Sequence, residues 1–251
     1  MSASDWIAQS VRAFALAAGC AAFSPGLAHA CEPGAVRSIE IAPGQRIGTG
    51  SQYPMAPLHD KEVALTFDDG PNAEVTPLIL EALAKACVRA TFFPIGSNAA
   101  AHPELLKREL AEGHTLGGHT FDHDNLTDKR LPDAVKDILA GFAPIQSAGA
   151  PAAFLRFPQL ATTPQLLDWT ERNHVAVISV DIDPSDWAGD PPKQTLKRLL
   201  DQLSTKGRGV ILLHDSQPNT AKLLPELLMI LSQRGYSFAQ LKPAPHAGLG
   251  E

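Results

Sequence analysis

The chain has 251 residues, 44% of them hydrophobic, which is enough to bury one sizeable core. Its formal charge is −6 and its pI is about 5.8. No basic stripe runs along it, which excludes the electrostatic footprint of a nucleic-acid binder.

Residues 1–30 read as an export signal. Arg12 is the early cation, Ala13 to Phe23 is an apolar run too short to cross a bilayer, and Ala28-His29-Ala30 is a small-x-small cleavage site. Cleavage there leaves Cys31 first and places the protein in a secreted or periplasmic setting. A lipid anchor on Cys20 or Cys31 is the alternative, and a buried N-terminal helix the other. Cys20, Cys31 and Cys87 are the only cysteines. An oxidising compartment allows a Cys31–Cys87 disulfide. Nothing in the sequence fixes the distance between them, so the preferred reading is Cys87 as a small buried residue and Cys31 as free or lipidated. Residues 31–61 are rich in Pro and Gly, only Ser38 to Ala42 is strand-like, and the segment reads as a leader wrapped on the domain.

From Glu62 short apolar runs alternate with amphipathic stretches. The expected strands are 63–67, 90–95, 114–118, 153–157, 175–180, 209–213 and 236–240. The expected helices are 75–87, 102–112, 131–146, 163–173, 194–205 and 219–234. Strands alternating with helices of this length imply parallel pairing through crossovers. The predicted fold class is α/β, a distorted or incomplete (β/α) barrel of about seven parallel strand–helix units. The domain runs over 62–241, with a loose tail at 242–251. In such folds chemistry gathers at the C-terminal ends of strands, where Asp68, Asp69, His119, Arg156, Asp183 and His214 fall.

The first of these ends carries Thr66-Phe67-Asp68-Asp69-Gly70-Pro71. Adjacent carboxylates in a folded setting need a cation between them, or one of them must keep its proton. About fifty residues later comes His119-Thr120-Phe121-Asp122-His123. One Asp and two His make the ligand set of an open divalent-metal site. A divalent zinc lowers the pKa of its water to about 7 and polarises a carbonyl, and Asp68 is the spare carboxylate to take the proton. Taken singly, the Asp pair also reads as a capped turn and the His pair as a solvated helical face. Arg156 at a strand end can fork onto a carboxylate, and His214 ends another apolar strand. His29, His59, His102, His114, His174 and His246 lack partners at ligand spacing and read as structural or solvated.

Five segments in order resemble the polysaccharide deacetylases of carbohydrate esterase family four: T-F-D-D-G-P at 66–71, H-T-F-D-H at 119–123, R-F-P at 156–158, D-P-S-D-W at 183–187 and I-L-L-H-D at 211–215. The resemblance covers about residues 62–241. It implies metal-dependent hydrolysis of N-acetyl groups on N-acetylglucosamine-type residues of a chitooligosaccharide, peptidoglycan or related polymer, releasing acetate. It implies that Asp69, His119 and His123 hold one divalent metal ion, zinc first, with cobalt, nickel or manganese as alternatives. By the same resemblance Asp68 is the base, Arg156 holds it, His214 is the general acid, and Asp183 pairs with His214. Trp187 and Leu212 match positions around the acetyl methyl group. Gln159 stands where the family carries an aromatic residue, and its backbone N–H is expected to help hold the oxyanion. Asp186 and Asp215 are assigned to turns or supporting bonds. The expected partner is an acetylated glycan, with no obligate protein partner evident. Two rivals stay open: an O-acetyl esterase acting on acetylated xylan, and a catalytically silent glycan-binding protein. The second conflicts with a competent side chain at every mapped position.

Overall fold

The apolar runs become parallel strands. In the computed structural model, which describes residues 36–245, these are β1 (Arg37–Ile41), β2 (Arg46–Ile47), β3 (Glu62–Asp68), β4 (Thr91–Phe93), β5 (Thr115–Leu116), β6 (Phe154–Leu155), β7 (Ala176–Ile178), β8 (Gly209–His214) and β9 (Ser237–Pro243). The helices are α1 (Thr76–Lys85), α2 (Gly96–Ala101), α3 (Pro103–Ala111), α4 (Leu131–Ser147), α5 (Pro164–Arg172), α6 (Pro192–Lys206) and α7 (Pro218–Gln233). Proline occupies the first turn of every one except α2. Its fixed φ is ready for a helix and its missing N–H costs nothing there. The predicted export signal, Cys20, Cys31, His29 and His246 lie outside the described residues.

All strand pairs are parallel. β3 and β8 are buried at every position, as strands covered on both faces must be. β3 pairs with β8 on one edge and with β4 on the other, and β4 continues to β5. β6 pairs with β7. Two isolated bridges, Gly118 with Leu155 and Ile182 with Ile211, close the ring just beyond β5 and β7. The result is the expected distorted barrel: all seven predicted strands form as β3 to β9, six of them close the ring, and β9 flanks it. β9 meets β3 only at Glu62 and Val63, because β4 takes the rest of that edge from Thr66 onward, and it pairs along its length with β1.

The leader is therefore built into the sheets: β1 lies on β9 and β2 on β7. Lys242 and Pro243, expected in a loose tail, pair with Glu40 and Ile41. α2 was not expected, since Gly96-Ser97-Asn98 carries no apolar period; there Gly96 approaches Gly141 so closely that a Cβ would sit 2.7 Å from its Cα. Cys87 is disulfide-bonded. This corrects its reading as merely a small buried residue; the other two cysteines lie outside the described residues.

Candidate active site

The C-terminal ends of β3, β5, β6, β7 and β8 converge on a cavity of about 490 Å³ lined by Asp68, Asp69, His119, His123, Phe157, Gln159, Leu160, Asp183, Trp187, Leu212 and His214. Every residue given a catalytic, substrate-binding or metal role from sequence lines it except Arg156, which lies directly behind it.

The two carboxylates part at the end of β3. Asp68, the last strand residue, is buried and faces Arg156. Asp69 turns out of the strand with φ 70°, the left-handed region that Asp tolerates better than most residues. Its Oδ1 is buried without a hydrogen-bond partner. That oxygen lies 3.5 Å from His119 Nε2 and 3.3 Å from His123 Nε2. His119 donates from Nδ1 to the Arg156 carbonyl at 2.8 Å, which leaves Nε2 as a bare lone pair. Burial pushes His119 down to about 3, so the ring is neutral. The H-T-F-D-H segment is a loop, not a helical face. Thr120 and His123 take positive φ, and the Thr120 hydroxyl accepts the His123 N–H. Asp137 of α4 accepts the N–H groups of Phe121 and Asp122. The ligand atoms of Asp69, His119 and His123 lie within 4.8 Å of one another. An orphaned carboxylate oxygen facing two free imidazole nitrogens fits a divalent cation.

Arg156 is fully buried. It donates to Asp68 Oδ1 at 2.6 Å and to Thr66 Oγ1 at 2.8 Å from Nη1, to the Ile178 carbonyl at 2.9 Å from Nε, and to the Ser179 carbonyl at 3.3 Å from Nη2. Its guanidinium carbon lies 4.3 Å from the Phe93 ring centroid, a cation–π contact. Burial lowers its pKa while Asp68 opposes that, and the group stays charged. Burial also pushes Asp68 above the usual carboxylate value, against the pull of Arg156 and His214.

His214 ends β8, next to Asp68 in the β3–β8 register. The sequence reading paired it with Asp183, and the structure corrects this. His214 Nδ1 donates to Asp186 Oδ1 at 2.7 Å, and its backbone N–H donates to Asp186 Oδ2 at 2.8 Å. The Thr220 hydroxyl also donates to that Oδ2. Burial alone would lower His214, but Asp186 outweighs it, with Asp68 and Asp69 adding to the effect, and holds the imidazole up at about 9. Asp183 instead accepts the Ser185 N–H at 2.7 Å and lines the cavity, half-buried. The D-P-S-D spacing offers two carboxylates, and no local rule chooses between them. Asp215 accepts from Thr76, and its N–H donates to the Asp68 carbonyl. Burial raises Asp215 to about 7.

Leu212 is a buried wall residue, whereas Trp187 is 58% exposed at the rim. Gln159 is exposed with φ 56°, and Leu160 follows with φ 56°. Sequence reading missed Thr66, which bridges Arg156 to the Ile211 carbonyl; a strand Thr carries no signal of that role. Of the other histidines, His114 accepts the Ala90 N–H and is pushed down to about 4 by burial, His102 lies 3.4 Å from Glu104, and His59 and His174 are exposed.

Comparison with known proteins points the same way. The pattern of the polysaccharide deacetylase family matches residues 56–178. The chain is similar to the peptidoglycan-N-acetylglucosamine deacetylase PgdA of Listeria monocytogenes serotype 1/2a (strain 10403S), 35% identical over 187 residues, covering 72% of this chain and 38% of that protein. It is 31% identical over 202 residues to a chitooligosaccharide deacetylase of Bradyrhizobium sp. (strain ANU 289), covering 74% of this chain and 90% of the relative. Its fold is similar to that of the Bdellovibrio bacteriovorus peptidoglycan deacetylase Bd3279, with a TM-score of 0.76 at 28% identity, covering 84% of this chain and 60% of that one. The chain spans well under half the length of the Listeria relative.

Proposed function

Because the chain belongs to the polysaccharide deacetylase family, we propose that it removes the acetyl group from N-acetylglucosamine-type residues of a glycan. The observation that carries this reading is the shared cavity of Asp68, Asp69, His119, His123 and His214, with Arg156 behind Asp68 and Asp186 behind His214.

Asp69, His119 and His123 would hold one divalent cation, with zinc first and cobalt, nickel or manganese as alternatives. When bound, such an ion acidifies water and polarises a carbonyl. Asp68 takes the proton of the water that attacks the acetamide carbon, and Arg156 fixes the carboxylate while it does so. The Gln159 N–H is assigned to the oxyanion that develops on the substrate. His214 then delivers its Nε2 proton to the departing amine, and Asp186 stabilises the imidazolium. Leu212 is assigned to the acetyl methyl group. Trp187, too exposed to enclose a methyl, is assigned to the groove wall. At about 9, His214 keeps its proton at neutral pH, which suits an amine leaving group. An alkoxide needs less acid help, so the ester reading ranks second.

The physiological setting proposed is the periplasm or the exterior, after cleavage behind Ala30. Protein from its host should begin at Cys31 by mass spectrometry, and an intact Met1 on cytoplasmic protein would contradict export. The activity itself is tested by acetate release from chitooligosaccharides, peptidoglycan, partially acetylated glucosamine polymers and acetylxylan. Release from N-acetylated substrates, abolished by a chelator, is expected. Release from acetylxylan alone would favour the esterase. Binding without release would favour a silent glycan-binding protein.

A further inference from the structure

Ahead of residues 56–178, the stretch that the family pattern covers, β2 leads into a tight turn, Gly48 to Tyr53, that lies against the end of β7. The Ser179 N–H donates to the Ile47 carbonyl at 2.8 Å, and the Gly50 N–H donates to the Val180 carbonyl at 2.7 Å. The Ser51 and Ser179 hydroxyls share a hydrogen bond at 2.8 Å. The Thr49 N–H donates to Asp181 Oδ1 at 2.9 Å. Gly48 sits at φ 107°, and a Cβ there would lie 2.4 Å from Ser179 C and 2.5 Å from Val180 N. The backbone gripped by the turn is the backbone that holds Arg156, since Ile178 and Ser179 supply the carbonyls for Nε and Nη2. Arg156 in turn grips Asp68. The same turn meets the loop carrying Gln159: a Cβ on Gly50 would be 3.6 Å from Leu160 Cδ1, and the Tyr53 hydroxyl lies 3.5 Å from Thr162 Oγ1.

We propose that the Gly48–Tyr53 turn is a positioning element of the active site, setting Arg156, and through it Asp68, by fixing the end of β7. The inference rests on the deacetylase reading for its kinetic consequence only. β7 has three residues and loses regular pairing after Ile178, where the carbonyls that matter begin. Ser179 lies beyond the β6–β7 ladder, and it is held by the Ile47 carbonyl at the end of β2 and by the turn that follows it. Gly48 and Ser51 are positioning residues, since neither lines the cavity.

The experiment compares Ser51→Ala and Gly48→Ala with Ile39→Ala, a core truncation in β1, outside the turn. Misplacing a reacting group by about 1 Å can cost roughly 10²-fold, so both turn variants should lose about tenfold or more in kcat with KM within roughly twofold. Ile39→Ala should lose thermal stability and keep its kcat. A second readout needs no turnover: exchange of the Arg156 Nε–H with solvent, followed by NMR. That proton should be protected in the parent and in Ile39→Ala, and should lose protection in the turn variants. Turn variants that fold and keep both kcat and Nε–H protection overturn the proposal; so does an Ile39→Ala protein whose kcat falls as far as theirs. If Gly48→Ala does not fold, Ser51→Ala decides. If the parent protein releases no acetate from any glycan, the deacetylase reading fails, and the Nε–H exchange alone decides the role of the turn.

Discussion

Neighbouring carboxylates leave β3 with opposite fates. Asp68 is sealed in and gripped by Arg156, while Asp69 rotates through a left-handed backbone toward the two imidazoles. Asp68→Asn should therefore keep one divalent ion per chain by elemental analysis and lose about 10²–10⁴-fold in kcat, the usual worth of a general base. Full activity in that metal-loaded variant would reverse the two roles. At His214 the pH profile separates Asp186 from Asp183. His214 must be protonated to act as an acid, so kcat should fall as pH rises through about 9. Asp186→Asn removes the main group that opposes burial, so the alkaline limb should move to lower pH. Asp183→Asn should leave the limb in place. The reverse result would restore the pairing expected from sequence. Asp68, Asp69 and the two histidines were legible because their types and spacing alone suggest metal chemistry. Asp186 was not, because a side-chain partner 28 residues away is a tertiary fact. At position 159, with φ 56°, proline, fixed near −65°, would break the turn rather than report on the N–H. Gln159→Ala keeps the N–H and should leave kcat on a short substrate nearly unchanged.

Among the elements, α4 matters most to the metal ligands. Gly141 lets it lie against the His119–His123 loop: a Cβ there would be 2.5 Å from Thr120 C. Asp137, one turn earlier on α4, accepts two loop N–H groups and pairs with Lys129. Gly141→Ala should cost about 1–3 kcal/mol by overpacking, and metal titration should show weaker binding because the clash falls on the loop. A lower Tm with unchanged metal affinity would mean that the loop shape is set elsewhere. The apolar period that announced α4 gave no hint of this contact. Its glycine reads as a weak helix residue in sequence and as a close approach in the fold.

At the scale of the molecule, the site is assembled from five strand ends that only barrel closure brings together, and the proposed cation would tie three of its residues from two of those ends. A ligand at about 100 times its Kd stabilises the native state by about 2.7 kcal/mol. For a chain of this size each kcal/mol is worth roughly 2–4 °C. Thermal unfolding with and without zinc should therefore show a rise of about 5–10 °C. His119→Ala combined with His123→Ala should abolish the rise, since one carboxylate is a poor cage. A full shift in the double variant would place the ion elsewhere.

The repeating strand–helix units, their parallel pairing and the inventory of reactive side chains at strand ends could all be read along the chain, because hydrophobic period and residue chemistry are local properties. How many strands close the ring, whether the leader and residues up to Pro243 belong to the sheets, and which aspartate serves His214 could be read only in three dimensions. Each of these depends on which edge or side chain is already occupied. β9 was displaced by β4 on the edge of β3, and His214 was met first by a carboxylate on the short turn at Asp186. Competition for a shared partner is settled in space and leaves no periodic trace along the chain.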